Sequence, residues 1–346
     1  MIALAASVSG GVSARGDDGR PWPPQCDPGL PLNRCYTPGD YDGDRKADLA
    51  MFRPAEGVWH VKRSSNNEPY AIHWGLSDDK LVPADYDGDG KDDFAVYRKP
   101  ATNASKPTWY IRNSTNGQWR SEIFGSRDAS PAPADYDGDG RADLAVALLG
   151  SYEILHSSDN SIASFHLPIV NRDDAPVSNH NDIVVPADYD GDGMADPAIY
   201  DERPEGPTSH GGPRVWVIRR SSDGVVFSVP FGGGDDVPVP GDYNSDGKTD
   251  IAVWHPDERL WSIIENLNEN PTGYPVSEII WGEPGDLVVP ADYDGDGKTD
   301  PAVWRPGEGI WEILYSSSNE SSTQYWGLSS DIPVPMFLKR LTAPNE

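Results

Sequence analysis

Asp85-Tyr86-Asp87-Gly88-Asp89-Gly90-Lys91-Asp92-Asp93 is one of six versions of a single nonapeptide in a chain of 346 residues. The others begin at Asp40 (DYDGDRKAD), Asp135 (DYDGDGRAD), Asp188 (DYDGDGMAD), Asp242 (DYNSDGKTD) and Asp292 (DYDGDGKTD), 45 to 54 residues apart. A repeat at that period decides the fold class before any local propensity does.

The flanks recur with the loop. A short Val/Pro segment precedes it, as in Leu81-Val82-Pro83 and Val288-Val289-Pro290. An apolar run follows (Phe94-Ala95-Val96-Tyr97, Ile251-Ala252-Val253-Trp254), often closed by a turn such as Arg53-Pro54 or Arg305-Pro306. Next comes an alternating segment with an aromatic two before an aliphatic (Trp59/Val61, Trp109/Ile111, Trp311/Ile313). A Ser/Asn turn then leads to a last segment ending in aromatic-Gly, as in Trp74-Gly75 and Trp326-Gly327. Short runs of period two, rich in Val, Ile, Trp and Tyr and bounded by turn residues, read as strands. Residues 151–167 and 310–326 lack Gly and Pro, but a Ser/Asn cluster divides each, so both read as strand pairs. Four strands per unit of this length predict an all-β protein, a β-propeller of four-stranded blades. Six complete units favour six blades. A further opening segment, Asp331-Ile332-Pro333-Val334-Pro335, either closes the ring against the first unit or starts a seventh blade.

Within the nonapeptide, Asp stands at positions 1, 3, 5 and 9 and Gly at position 6. Alternation places the first three carboxylates on one side of a tight turn. The glycine permits the positive φ that brings the position-7 carbonyl and the last carboxylate round. The predicted ligands are Asp40, Asp42, Asp44, Lys46 and Asp48; Asp85, Asp87, Asp89, Lys91 and Asp93; and Asp135, Asp137, Asp139, Arg141 and Asp143. The later loops contribute Asp188, Asp190, Asp192, Met194 and Asp196; Asp242, Asn244, Asp246, Lys248 and Asp250; and Asp292, Asp294, Asp296, Lys298 and Asp300. Position 7 acts through its carbonyl. All-oxygen donors point to Ca²⁺, up to six ions, over zinc, copper or Mg²⁺. An EF-hand is excluded, since Val96, Val146 and Val253 occupy its bidentate-Glu position. The first loop has Arg45 at the Gly position, and the fifth has Asn244 and Ser245. Asp and Gly also make ordinary turns, but crowded carboxylates without a cation would repel one another.

These repeats, Val-Pro-x-Asp-Tyr-Asp-Gly-Asp-Gly-Lys-x-Asp followed by Ala-Val-Trp-Arg-Pro and ending in Trp-Gly, resemble FG-GAP/VCBS repeats over roughly residues 36–337. The resemblance implies a calcium-bearing propeller like that of integrin α subunits, the loop joining the first two strands of each blade. Lectins, adhesion proteins and a few polysaccharide-degrading enzymes belong to the same family. Integrin-type propellers usually have seven blades, so six loops are a departure.

Composition agrees with this reading. The formal charge is −28, and 23 of the 56 acidic residues are loop carboxylates. Such acidity weighs against nucleic acid and anionic membranes. No segment approaches a transmembrane span, so no membrane insertion is expected. Residues 1–35 read as a truncated signal peptide and lead-in, 36–340 as one propeller domain and 341–346 as a tail. Ile2 to Val12 is small and apolar, and Val12-Ser13-Ala14 resembles a signal-peptidase site. A secreted or cell-surface protein is expected, with Cys26 and Cys35 joined as a disulfide. Arg15-Gly16-Asp17 matches an integrin-binding tripeptide at a frequency chance explains. The sequons at Asn103, Asn113 and Asn319 matter only in a glycosylating host.

Three functions remain open. A glycan-binding lectin or adhesion module is favoured, with Trp74, Trp281, Trp326 and above all Trp119 as stacking platforms, and Trp254 and Trp304 as further candidates. Aromatics that recur in register also suit packing between blades, and Trp119 lies outside that register. A protein-interaction scaffold is the first alternative. A polysaccharide lyase or hydrolase is the second, and catalysis is not expected. The seven histidines (His60, His73, His156, His166, His180, His210 and His255) do not recur in register and read as surface or blade residues. Insertions at 171–182, 201–214 and 266–274 are the places where a separate function would sit.

Overall fold

The computed structural model describes residues 37–102, 105–168, 182–201, 214–265 and 274–334. Cys26, Cys35, the leader, the tail and most of the three insertions lie outside the described residues. Among the described residues there is no helix, and 24 strands form six four-stranded antiparallel sheets.

Blade 2 shows the unit. It runs β4 (Lys80–Leu81), the acidic loop, β5 (Phe94–Arg98), β6 (Thr108–Arg112) and β7 (Trp119–Ile123). Blade 3 holds β8 (Ser130–Pro131), β9 (Leu144–Leu148), β10 (Ser151–Leu155) and β11 (Ile162–His166). Blade 4 holds β12 (Ile183–Val184), β13 (Ala198–Asp201), β14 (Val215–Arg219) and β15 (Val226–Pro230). Blade 5 holds β16 (Val237–Pro238), β17 (Ile251–His255), β18 (Leu260–Ile264) and β19 (Val276–Ile280). Blade 6 holds β20 (Leu287–Val288), β21 (Ala302–Arg305), β22 (Ile310–Leu314) and β23 (Ser321–Tyr325).

Blade 1 is assembled from both ends of the described chain. It takes β1 (Leu49–Arg53), β2 (Val58–Lys62) and β3 (Pro69–His73) from the N-terminal side and β24 (Ile332–Val334) from the C-terminal side. Phe52 lies opposite Ile332 and Ala50 opposite Val334. The extra opening segment therefore closes the ring and does not begin a seventh blade.

Two aromatic repeats build the interior. The alternating aromatics Trp59, Trp109, Tyr152, Trp216, Trp261 and Trp311 are fully buried. Trp59, Trp109, Trp261 and Trp311 donate their indole N–H to the carbonyl of the aromatic-Gly aromatic, at 2.8 to 3.2 Å. The following glycines (Gly75, Gly125, Gly232, Gly282 and Gly327) have φ between 94° and 103°. A Cβ there would collide with the next blade, 3.0 Å from Val96 at Gly75 and 2.8 Å from Met51 at Gly327. Glycine is thus required twice over, by backbone and by space.

Each apolar core spans a seam. Phe94 and Val96 of blade 2 join Phe52 and Trp59 of blade 1, and Ala47, Leu49 and Met51 of blade 1 join Trp304 and Trp311 of blade 6. Six such clusters close the circle. Outer strands β3, β11, β19 and β23 alternate exposed with half-buried residues, and β7 is exposed at all but Arg120, as suits an outer edge.

At the ring-closing seam Arg53 clamps Asp331 through Nε–Oδ1 at 2.8 Å and Nη2–Oδ2 at 2.9 Å, while Asp331 Oδ2 also accepts from the Leu328 N–H. The Asp331 side chain is inaccessible to solvent. Asp331→Ala should cost about 2 kcal/mol in urea unfolding, because it strands a bidentate donor and a turn N–H. An unchanged midpoint would show that closure rests on the apolar seam alone.

Candidate metal centres

In blades 2 to 6 the acidic loop links the inner strand to the strand beside it, and in blade 1 it leads into β1, whose inner neighbour β24 comes from the C-terminal side. In the second loop, Asp85 Oδ1 accepts from the Gly88 N–H at 2.6 Å and Oδ2 from the Gly90 N–H at 2.7 Å. Asp89 Oδ1 accepts from the Lys91 N–H at 3.0 Å. Asp93 is buried and bridges two elements, Oδ2 taking the Tyr86 N–H and Oδ1 the Ser114 N–H at 2.6 Å. The same bonds recur at Asp40 and Asp48, Asp188 and Asp196, and Asp292 and Asp300. In the third loop, Asp135 takes Gly138 and Gly140, and Asp143 takes Tyr136 and Ser157.

The two irregular loops keep this backbone. Arg45 adopts φ 68° at the Gly position and still donates its N–H to Asp40. Ser245 adopts φ 64° and donates to Asp242. Side-chain L-residues in that region carry a strain of order 1 kcal/mol. In the fifth loop Asn244 Oδ1 replaces a carboxylate as the acceptor for the Asp246 N–H.

Successive loops are tied to one another. The position-8 N–H of each donates to the position-1 carbonyl of the loop before it: Asp92 to Asp40, Ala142 to Asp85, Ala195 to Asp135, Thr249 to Asp188, Thr299 to Asp242 and Ala47 to Asp292, all at 2.6–2.7 Å. These six bonds form a closed circuit. Position-7 side chains cross the same seams: Lys91 lies over Gly43, Arg141 over Gly88, Met194 over Gly138, Lys248 over Gly191 and Lys46 over Gly295. A Cβ on any of those glycines would come within 2.6–3.1 Å of that side chain.

Donor oxygens converge as the spacing predicts. Asp40, Asp42 and Asp48 each offer an oxygen within 4.8 Å of the others, as do Asp85, Asp87 and Asp93; Asp135, Asp137 and Asp139; and Asp188, Asp190 and Asp192. Asp87 Oδ1 is buried and has no hydrogen-bond partner, an orphan that a cation would satisfy. Burial raises the position-1 and position-9 carboxyls against their backbone donors: Asp40 and Asp188 to about 6, Asp48, Asp93, Asp196 and Asp292 to about 7. Like charges within each loop push the same way. An oxygen cage of desolvated carboxylates fits a hard divalent cation.

Two sets of contacts were not visible in the sequence. A hydroxyl pair in the turn after the third strand grips the loop: Ser64 and Ser65 bind Asp44 and Asp42, and Ser114 and Thr115 bind Asp89 and Asp87. Ser157/Ser158, Ser221/Ser222 and Ser316/Ser317 do likewise. The recurring doublet was the available signal, masked by its ordinary use in turns. At the corresponding place the fifth repeat has Asn266 and Leu267, so it departs here as well. His156, expected as a surface or blade residue, faces the third loop, its Nδ1 3.3 Å from Asp143 Oδ2 and 3.5 Å from Asp137 Oδ2.

The tryptophans divide. Trp254 and Trp304 are buried in the seams and present no face to a ligand, because their strands pack on both sides. Trp74 and Trp281 are half-buried and donate their N–H across a seam, to the Tyr110 and Glu312 carbonyls at 3.3 and 3.1 Å. Trp326 packs half-buried at the ring-closing seam. Trp119, on outer strand β7, is 63% exposed and meets Trp74 at 6.1 Å between ring centroids.

A family model described as an FG-GAP-like repeat matches residues 85–146 and 242–303. A search of curated protein sequences returns no match. Among solved structures, an Agrocybe aegerita lectin that recognises non-reducing terminal N-acetylglucosamine is similar with a TM-score of 0.50 at 15% identity, over 81% of this chain and 89% of the lectin. A streptogramin B lyase (TM-score 0.48, 12% identity, 85% and 83% covered) and a chain of a nidogen/laminin complex (0.46, 12%, 80% and 93%) are similar at a lower level. At these identities the likeness is one of fold. The chain carries FG-GAP-like repeats on a six-bladed β-propeller.

Proposed function

We propose that this chain is a secreted, calcium-loaded propeller that binds glycans. The calcium part rests on the loops. Each would hold an ion through its Asp side chains and the position-7 carbonyl, Asn244 standing in for one carboxylate in the fifth. The bound cation supplies the positive charge that lets buried carboxylates ionise. The inter-loop hydrogen bonds would make each ion order its neighbours as well.

The observation that carries the glycan part is the Trp119–Trp74 pair, an exposed indole supported by a second one anchored in the seam. An aromatic face set in polar surroundings suits the apolar side of a sugar ring, and Ser121, two residues along the same strand and so on the same face, offers a hydroxyl partner. One observation favours a protein partner as the second reading. Ile123, Ile162, Ile280 and Tyr325 are all exposed on outer strands, where another chain could lie.

Chelation should lower the melting temperature by roughly 10 °C or more, since ligand at a hundredfold excess over Kd stabilises by about 2.7 kcal/mol per site. An unchanged melt in excess EDTA would refute the calcium reading. The two states should also differ in pH dependence. Without metal, the folded carboxyls at about 6 to 7 hold protons that an unfolded Asp releases near 3.8, so stability falls as pH rises between those values. With calcium bound, the folded carboxylates are ionised like those of the unfolded chain, so stability is nearly flat over this window and is lost only as pH falls through about 3.8 and below. Parallel slopes in urea titrations with and without calcium would contradict this. On a glycan array, discrete hits weakened at least about tenfold by Trp119→Ala are expected. A blank array from calcium-bound protein would move the weight to a protein partner.

A further inference from the structure

Opposite the acidic loops, at the far end of the second strand, each of several blades carries a latch. Arg53 clamps Asp331, Arg98 clamps Asp79 and Arg305 clamps Asp286, each through two hydrogen bonds of 2.7–2.9 Å. In blade 6 the same arginine reaches Glu312 at 2.9 Å, and in blade 2 it lies over the Tyr110 ring. Blade 5 keeps the carboxylate but changes the chemistry of the other two places. His255 replaces the arginine, Asp236 is the carboxylate and Ser262 occupies the position of Glu312.

We propose that Ser262, His255 and Asp236 form a hydrolytic triad for esters of small uncharged acyl groups. His255 Nδ1 lies 2.7 Å from Asp236 Oδ1, and Nε2 lies 3.0 Å from Ser262 Oγ. Asp236 can only accept at Oδ1, so Nδ1 carries the proton. Nε2 is left as the acceptor for the serine hydroxyl. The carboxylate is itself held, its Oδ2 taking the Gly233 N–H. Nucleophile, base and positioning residue therefore stand in hydrogen-bond order at distances that acyl transfer requires.

Cross-strand register explains the convergence. Leu260 faces His255 and Val253 faces Ser262, which sets His255 and Ser262 on one face of adjacent strands. A quarter of the imidazole is exposed, whereas Ser262 is 6% exposed beneath it, so only a short acyl group fits. Glu258 and Glu278 join Asp236 in raising the basicity of the imidazole, and their charge disfavours anionic substrates. Ile280, exposed and paired with Leu260, offers an apolar edge.

In the first step Ser262 Oγ adds to the ester carbonyl carbon while its proton passes to His255 Nε2. The C–O bond to the alcohol then breaks, and the alcohol leaves with that proton. Water attacks the acyl-serine, giving a proton to Nε2, and the carboxylic acid departs as Ser262 regains its hydrogen. No further co-reactant is needed, and nothing in this step depends on calcium or on the glycan reading.

The test uses the full chain with a fluorophosphonate probe and with p-nitrophenyl acetate and octanoate. Labelling should map to Ser262 by peptide mass spectrometry, and acetate should be hydrolysed in preference to octanoate. Ser262→Ala should abolish both signals. His255→Arg recreates the latch of the neighbouring blades, so it should retain the melting temperature yet lower labelling and hydrolysis at least about a hundredfold. Asp236→Asn should remove the downfield imidazole N–H resonance of His255 and slow labelling. Folded wild-type protein left unlabelled at Ser262, or hydrolysis that survives Ser262→Ala, would overturn the proposal and leave the trio as a histidine version of the latch.

Discussion

Six backbone hydrogen bonds, each from the eighth residue of one acidic loop to the first carbonyl of the loop before, constrain everything else in this propeller. They can form only if neighbouring blades approach closely. That in turn demands a bare Cα where the position-7 side chain crosses, as at Gly43 beneath Lys91. The aromatic-Gly step answers the same demand elsewhere in the seam, where Gly125 would otherwise drive a Cβ to 2.8 Å from Val146. β24 completes blade 1, and the Ala47–Asp292 bond joins the last loop to the first.

This circuit places carboxylates where water is scarce. Asp93 and its counterparts are fully buried because one carboxylate must bridge a loop N–H and a turn N–H at once. Hydrogen bonds from backbone N–H groups favour the ionised form, but burial and the other loop carboxylates oppose it, and burial is the largest effect. Two or three donors do not offset that desolvation. A divalent cation would, and the calcium proposal rests on that imbalance. The hydroxyl doublets act in the same direction, fixing the outer oxygens of Asp42 and Asp44 so that the remaining ones converge.

Regularity also makes departures informative. A repeated scaffold holds every position in register, so a side chain that differs in one blade differs without a change of frame. His156 beside the third loop, Asn244 in the fifth and His255 in the fifth blade's latch are such differences. Chemistry on a propeller is expected in single-blade exceptions of this kind more than in the shared motif, since the motif serves closure and packing in every blade.

Much of the architecture was legible in the chain alone. A nonapeptide repeated in phase, Val/Ile/Trp strands of period two and turn residues between them specify four-stranded blades, because side-chain alternation and turn chemistry are local properties. The convergence of the loop carboxylates could be foreseen for the same reason: spacing within nine residues is a local fact. Tertiary structure alone decided the rest. Six blades were favoured by the repeats, but only Ile332–Val334 seen beside β1 places the extra segment as the closing strand, since pairing across some 280 residues leaves no periodic trace. Trp254 and Trp304 resemble sugar platforms in sequence but are seam residues in space, whereas Trp119 stands exposed. Asp236, His255 and Ser262 lie 19 and 7 residues apart with no shared motif, and only the folding of three strands brings an imidazole between a carboxylate and a hydroxyl.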